Sequence, residues 1–218
     1  MALPAALPAR DGDARARLAG VGGRVRPTVL ARDRTLDVPG PLGEVLPGGL
    51  VRGTVLVVEG EVGAGATSAG LSLCAAATAV GEWAAAVDLH GTLGGEAAAE
   101  LGVTLERFVV ARVLPDRWAT TVAVLLDGMS VVVAEVPRHT RPSDARRLVA
   151  RARERGVVLV PVVWPPATWP ATATRRLHAD GDSWSGLGVG SGLLASRPPT
   201  VRFARPDQTT PEHDVLAS

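Results

Sequence analysis

A glycine-rich turn in the first third of the chain has the residue types that could bind a phosphate group. Gly60, Gly65 and Thr67 have the spacing of the phosphate-loop pattern G-x-x-x-x-G-K-[ST], in which Thr67 takes the place of the magnesium-binding hydroxyl. The position of the lysine is Ala66. Backbone N–H groups at a helix start still favour an anion, but the cation that would contact the β- and γ-phosphates is missing. The turn therefore predicts weakened nucleotide binding and no phosphoryl transfer.

We interpret this turn as a vestigial phosphate loop. The residues assigned to it are Gly60, Gly63, Gly65, Ala66, Thr67 and Ser68. The alternative is a plain glycine-rich connection between a strand and a helix. No histidine pair has the spacing of metal ligands, and His90 has no evident nucleophile or partner. We therefore expect no catalytic residue, no cofactor and no bound metal.

Arginines are concentrated between residues 138 and 155. On a helix Arg147, Arg151 and Arg155 share one face, because each is four residues from the next. That face is either solvated and balanced by Asp144 and Glu154, or a basic surface for DNA or an acidic partner. Few aromatic residues are interleaved with these arginines, so stacking on single-stranded bases is not indicated.

Three tryptophans, Trp164, Trp169 and Trp184, fall in or beside a proline-rich stretch. Tryptophan is enriched among the central contacts of protein interfaces. Exposed tryptophans beside an edge strand would suit partner docking by strand addition. Alternatively, these side chains cover the end of the sheet, and the sequence leaves both interpretations open.

The elements that must position these residues alternate between strand and helix. Strands are predicted at 54–59, 84–88, 108–111, 130–136 and 157–163, and helices at 67–80, 95–101, 116–126 and 143–155. This alternation predicts an α/β fold with a mostly parallel sheet and helices on both faces. Short strands at 172–178, 184–187 and 200–204 predict an antiparallel extension at one sheet edge. We expect one domain at 35–205, a flexible arm or short helix at 1–34 and a disordered tail at 206–218.

Composition narrows the class of protein. Hydrophobic residues make up 46% and charged residues 21% of the 218 residues, which is typical of a globular chain with a sizeable core. A formal net charge of +1 gives no global attraction to nucleic acid or to an anionic membrane. No apolar run has the ~20 residues needed to cross a bilayer. The single cysteine, Cys74, excludes an internal disulfide and is expected to be a buried thiol. We expect a cytoplasmic protein with no membrane contact.

From residue 46 to about residue 163 the chain resembles the core of the RecA superfamily. The segments that carry the resemblance are LPGGLVRG (46–53), GEVGAGATS (60–68), AAVDLHGT (85–92), ELGVTLERFVVARVLPDRWA (100–119) and SVVVAEV (130–136). Within this superfamily the chain is similar to the short actinobacterial branch of ImuA-type proteins, also through RRLHADGDSWSGLG at 175–188. The resemblance implies that Glu135 is a vestigial Walker B carboxylate. It also implies that His90 or Gly91 lies near the place of the catalytic glutamate.

The resemblance implies an accessory subunit of a translesion DNA synthesis complex that is mutagenic and induced in the SOS response to DNA damage. Its partner would be a Y-family-polymerase-like scaffold protein of the ImuB type. An error-prone replicative-type DNA polymerase and the sliding clamp would belong to the same assembly, with a weak contact to DNA. Because the lysine is replaced, we expect a non-catalytic RecA-like subunit that acts through protein–protein interaction. Two alternatives stay open: an active phosphate-loop NTPase or recombinase-like motor, and a damage-induced inhibitor of cell division.

Overall fold

The computed structural model describes residues 34–181 and the strand at 200–204. The strands are β1 Thr35–Leu36, β2 Leu50–Val51, β3 Leu56–Gly60, β4 Ala84–Asp88, β5 Phe108–Arg112, β6 Val131–Glu135, β7 Val158–Val163, β8 Arg175–Asp180 and β9 Thr200–Ala204. The helices are α1 Pro41–Val45, α2 Ala66–Thr78, α3 Gly95–Glu100, α4 Trp118–Leu125 and α5 Pro142–Arg155. Seven strands form one sheet in the order β5-β4-β6-β7-β3-β8-β9, and β1 and β2 form a separate antiparallel pair.

The central strands of the large sheet are buried on both faces. Every residue of β6 and β7 is buried, and both strands are continuous runs of apolar, mostly β-branched residues apart from Glu135. Such runs are typical of parallel strands covered by helices on each side. All strands of the sheet except β9 run parallel. The carboxyl ends of β3, β4, β6 and β7 therefore lie along one edge of the sheet, where ligand sites of α/β proteins form.

Helix α2 packs so closely on the sheet that only small residues fit beneath it. A Cβ atom on Gly70 would lie 3.0 Å from Val133 Cγ1 and 3.1 Å from Val162 Cγ2. Ala69 is fully buried, and so is Cys74, whose thiol pKa is raised by burial. Alanine also favours the helical conformation. Close packing thus fixes the start of α2, and with it the glycine-rich turn, against β6 and β7.

Helices α4 and α5 cover the opposite face. Their buried side chains include Trp118, Val122, Ala145, Leu148 and Ala152, which belong to one cluster with residues of β6 and β7. The exposed side of α5 carries its arginines. This division into an apolar and a basic side is the amphipathic pattern expected of a helix on a sheet.

The predicted α/β class is confirmed, and the architecture is consistent with a RecA-like fold. Each predicted central strand and helix is present with ends within two residues of its predicted bounds. Helix α5 ends at Gly156, which has a φ of 70° as expected of a glycine closing a helix. The N-cap residue of α4 is Arg117, one residue after the predicted start at 116. The short elements α1, β1 and β2 were not predicted, because elements of two to five residues are too short to show a periodic pattern.

The C-terminal edge extension contains one parallel strand as well as the antiparallel one. Strand β8 begins at Arg175, later than the predicted 172, and pairs parallel to β3 with Leu56 opposite Arg175. Strand β9 then pairs antiparallel to β8. The segment 164–174 returns the chain to the amino end of β3, and an apolar pattern does not indicate strand direction. The predicted strand at 184–187 and the tail at 206–218 lie outside the described residues, as does the predicted arm at 1–34 except for Arg34.

We expect Gly60→Ala to destabilise the fold by about 1–3 kcal/mol, because the new methyl group would overpack the contact between β3 and β8. A Cβ atom on Gly60 would lie 2.6 Å from the Ala179 carbonyl oxygen. Urea unfolding of the variant measures the loss. Gly128→Ala is the matched control, because a Cβ atom there meets nothing within 4 Å. Equal stability of the two variants would contradict this packing argument.

Candidate functional site

The glycine-rich turn joins the end of β3 to the start of α2. Gly63 and Gly65 have φ values of 83° and 94°, in the left-handed region that favours glycine. The Ala64 N–H donates a hydrogen bond of 2.9 Å to the Glu61 carbonyl oxygen, which tightens the turn. Gly65 is the N-cap residue of α2 and gives it no side-chain cap. The first N–H groups of the helix therefore have no intrahelical partner and can favour an anion.

The side chain at the lysine position is part of the hydrophobic core. Ala66 is 1% exposed and belongs to the same cluster as Val133 and Val162. Thr67 and Ser68 are half-buried behind it. The turn thus combines backbone donors with a buried methyl group where the phosphate-loop pattern has an ammonium group.

Asp88 lies at the carboxyl end of β4 and organises the loop that follows it. Its Oδ1 accepts hydrogen bonds from the N–H groups of His90, Gly91 and Thr92 at 3.1, 2.7 and 3.2 Å, and Oδ2 accepts one from Leu93 at 3.2 Å. The carboxylate is 1% exposed. Burial alone would raise the pKa of Asp88, but these four donors outweigh it and hold the pKa below its usual value. Asp88 is therefore an ionised group that fixes backbone.

Glu135 lies at the carboxyl end of the neighbouring strand β6 and is 2% exposed. Its Oε2 accepts a hydrogen bond of 2.7 Å from the Leu89 N–H and lies 3.0 Å from His90 Nδ1. The other oxygen, Oε1, is buried without a hydrogen-bond partner among the described residues. The His90 ring makes an edge contact with Trp164, with ring centroids 5.5 Å apart. The structure thus supplies the partner for His90 that the sequence did not reveal.

The sheet order separates Glu135 from the glycine-rich turn. Strand β7 lies between β6, which ends in Glu135, and β3, which leads into the glycine-rich turn. Every hydrogen bond that the Glu135 side chain makes within the described residues goes to the Leu89 N–H or the His90 ring. The carboxylate therefore orients the His90 imidazole, whose side chain is 58% exposed. The sequence signal is that Glu135 ends one predicted strand and His90 follows another. Only the sheet order shows that these two strands are neighbours.

The three arginines predicted to share a face of α5 all contact carboxylates. Arg151 binds Asp127 through Nε at 3.0 Å and Nη2 at 2.5 Å. Arg155 Nε lies 3.1 Å from the same carboxylate, and Arg147 lies 3.6 Å from Asp144. The bond from Arg151 and the charges of both arginines lower the pKa of Asp127. The main counter-ion of this face is thus Asp127, at the end of α4, rather than Glu154.

Other arginines of the same region have no such partner. Arg138, Arg141, Arg146 and Arg153 are exposed and form no ion pair within the described residues. The free basic charge of this region therefore lies on these four residues rather than on Arg147, Arg151 and Arg155.

Two of the three predicted interface tryptophans can be placed. Trp169 is 5% exposed and packs against Trp118 with ring centroids 6.5 Å apart. Trp164 is half-buried beside His90 at the end of β7. Trp184 lies outside the described residues. The two placed side chains cover the carboxyl end of the sheet, and a role of Trp164 in partner binding stays a prediction.

The described part of the chain has neither a cluster of metal ligands nor a membrane-spanning helix. No group of three or more His, Cys, Asp or Glu side chains there could hold a metal ion. No helix there has both the length and the apolar character to cross a bilayer.

We expect Asp88→Ala to destabilise the protein by about 3 kcal/mol at pH 7, because buried N–H groups lose a charged acceptor. The folded-state pKa of Asp88 is lowered, so its contribution to stability is complete above the unfolded-state pKa of about 3.9. This contribution is lost as the pH falls through the folded-state pKa. The stability gap between wild type and variant should therefore narrow below about pH 4. Urea titrations at several pH values measure it.

The control for this series is Asp116→Ala, because Asp116 has a 72% exposed side chain. It should change stability little at any pH. A gap for Asp88→Ala that stayed constant down to pH 2 would contradict the role assigned to the carboxylate.

Comparison with known proteins identifies the family. Residues 44–171, which span the turn, Asp88, Glu135 and α5, match the MT3502 N-terminal domain family. The chain is also 35% identical over 157 residues to protein Rv3395c of Mycobacterium tuberculosis, an alignment that covers 69% of this chain and 71% of that protein. Both the extent of the family match and the identity to this relative lead to the same conclusion. The chain belongs to the MT3502 N-terminal domain family.

Proposed function

We propose that this protein is a non-catalytic, RecA-like accessory subunit of a DNA-damage-induced mutagenic DNA synthesis complex, and that it binds a Y-family-polymerase-like scaffold protein. The observation that carries the non-catalytic part is the buried methyl group of Ala66, 1% exposed, at the place of the phosphate-binding lysine. Transfer of a phosphoryl group requires positioned positive charge around it. The setting in DNA synthesis comes from the resemblance to ImuA-type proteins.

The two buried carboxylates support the same proposal. Asp88 accepts four backbone N–H groups, and Glu135 Oε2 is held by the Leu89 N–H and His90. A carboxylate that activates a water molecule or binds a magnesium ion must have oxygen atoms open to it. Three of the four oxygens serve the loop after β4, and the fourth, Glu135 Oε1, is buried and closed to solvent, so the strand ends have a structural task.

An arginine could replace the missing lysine only if its guanidinium were free to contact the turn. Arg176 lies on β8, beside the strand that leads into the turn, and its Nη1 is 3.1 Å from Glu59 Oε2. This ion pair holds the Arg176 side chain at Glu59. The described residues thus favour a binding subunit over an active NTPase motor.

The direct test is nucleotide binding and hydrolysis by the purified chain. We expect no heat of binding for ATP with magnesium by isothermal titration calorimetry and no release of phosphate above the buffer rate. Magnesium-dependent hydrolysis that Thr67→Ala abolishes would establish the motor alternative and overturn the proposal.

A genetic test separates the role of the protein from the role of its turn. We expect a strain with the Thr67→Ala allele to show wild-type damage-induced mutation frequency, because the hydroxyl has no magnesium to bind. A strain lacking the gene should lose the damage-induced increase. If Thr67→Ala also loses it, although the variant protein accumulates normally, the non-catalytic role is excluded. If the deletion strain keeps the full increase, the setting in mutagenic synthesis is wrong.

A further inference from the structure

Strand β5 forms one edge of the large sheet, and its outer side is apolar and has no paired strand among the described residues. It pairs with β4 only, and no strand or helix of the described residues covers its other side. Its residues Phe108–Ala111 are half-buried and carry no charge. Edge strands are normally protected by proline, bulges or charged residues within the strand. β5 has none of these between its two ends.

The direction of the backbone groups of β5 follows from one hydrogen bond. The N–H of Val113 donates to the Asp88 carbonyl oxygen on β4 at 3.2 Å. In a parallel pair, the N–H and C=O of one residue point to the same side, and the side alternates along the strand. Residues 109 and 111 therefore face β4, whereas Phe108, Val110 and Arg112 direct their N–H and C=O groups to the open edge. An added strand would find these groups already aligned.

Exposed apolar side chains flank the two ends of β5. Leu105, in the turn before the strand, is 43% exposed, and Leu114, just after it, is 71% exposed. Trp83, which precedes the paired strand β4, is 40% exposed. Exposed apolar side chains next to an open strand edge are typical of a protein–protein contact.

Two arginines bound this apolar edge. Arg107 precedes β5 and lies over the Trp83 ring, with its guanidinium carbon 5.3 Å from the ring centroid. Arg112 ends β5, and its nearest carboxylate oxygen, Asp88 Oδ2, is 3.7 Å away and already accepts the Leu93 N–H. Neither guanidinium has a hydrogen-bonded carboxylate among the described residues.

We propose that the open edge of β5 binds an extended segment of a partner protein as an added strand, and that this segment is apolar in its middle and carries carboxylates near both ends. Backbone hydrogen bonds to Phe108, Val110 and Arg112 would supply the affinity. Ion pairs with Arg107 and Arg112 would set the register of the added strand.

A second copy of this chain fits the edge less well. If two β5 strands paired antiparallel about Val110, Arg112 of each copy would lie opposite Phe108 and beside Arg107 of the other. Like charges would then meet at both ends of the pair, which destabilises strand pairing. The same two arginines that favour an acidic-ended segment thus disfavour self-association.

This inference rests on the proposed function for the identity of the partner, the Y-family-polymerase-like scaffold protein, and not for the location of the site. The test compares binding of that scaffold protein by the full-length wild type, Val110→Pro and Val110→Ala, using biolayer interferometry. Proline removes the outward N–H at a position where edge strands tolerate it, because the pairing with β4 uses other residues. Alanine shortens the side chain and keeps the N–H.

We expect binding about ten-fold weaker or more for Val110→Pro and near wild type for Val110→Ala. The double variant Arg107→Glu/Arg112→Glu keeps every backbone group and should also lose affinity. The comparison variant, Arg138→Glu/Arg146→Glu, makes the same charge change on the basic region between residues 138 and 155. An equal loss of affinity for both double variants would overturn the part assigned to Arg107 and Arg112. Circular dichroism establishes that each variant is folded.

The outcomes separate the two proposals. If the wild type binds the scaffold protein and both Val110→Pro and Arg107→Glu/Arg112→Glu bind equally well, the edge is not the site and the proposed function stands. If Val110→Pro converts a wild-type dimer into a monomer in sedimentation, the occupant is a second copy and the proposed partner is wrong.

If the wild type does not bind the scaffold protein, the proposed function fails and a peptide decides the edge. The probe is a short synthetic peptide, Asp-Val-Thr-Val-Thr-Val-Asp, titrated into the isotope-labelled full-length chain. The amide signals of Phe108, Val110 and Arg112 should shift more with this peptide than with a control peptide in which Arg replaces both terminal Asp residues. Equal or absent shifts for the two peptides would overturn the inference.

Discussion

Two carboxyl groups are buried at the carboxyl ends of the neighbouring strands β4 and β6, and a buried polar group persists only where hydrogen bonds replace its water. Asp88 meets this requirement with four backbone N–H groups. Glu135 meets it at Oε2, through the Leu89 N–H and His90, whereas its Oε1 has no partner among the described residues. The loop after β4 therefore has to adopt the conformation that brings those donors together. That requirement fixes the sheet edge where α/β proteins bind their ligands, and it gives the carboxylates a role in holding the backbone.

The glycine-rich turn illustrates how a motif can persist for reasons of packing. A Cβ atom on Gly60 would lie 2.6 Å from the Ala179 carbonyl oxygen, and one on Gly70 would lie 3.0 Å from Val133 and 3.1 Å from Val162. The left-handed φ values of Gly63 and Gly65 shape the connection from strand to helix. Each of these glycines is required by the fold whether or not a phosphate binds. A lysine at position 66 would serve only a bound phosphate and not the fold. The chain has a methyl group there instead, buried in the core.

The α/β class and the position of every central strand could be predicted because buried parallel strands are unbroken apolar runs, as in 131–135 and 158–163. The direction of β8 could not be predicted, because an apolar pattern is the same in either direction. The pairing of His90 with Glu135 was missed, since it depends on which strands are neighbours in the sheet. Among the arginines, helical spacing gave the shared face correctly, whereas the partner Asp127 is distant in sequence and lies in the turn after α4.

The interior position of Cys74 has a practical consequence for spectroscopy. Its sulfur is fully buried in α2, and its raised pKa keeps it in the unreactive thiol form at neutral pH. A thiol-reactive maleimide dye or nitroxide reagent should therefore not react with Cys74 while the chain remains folded. Because the sequence contains this one cysteine and no lysine, new cysteines at chosen surface positions would give single-site labels for distance measurements without any prior substitution.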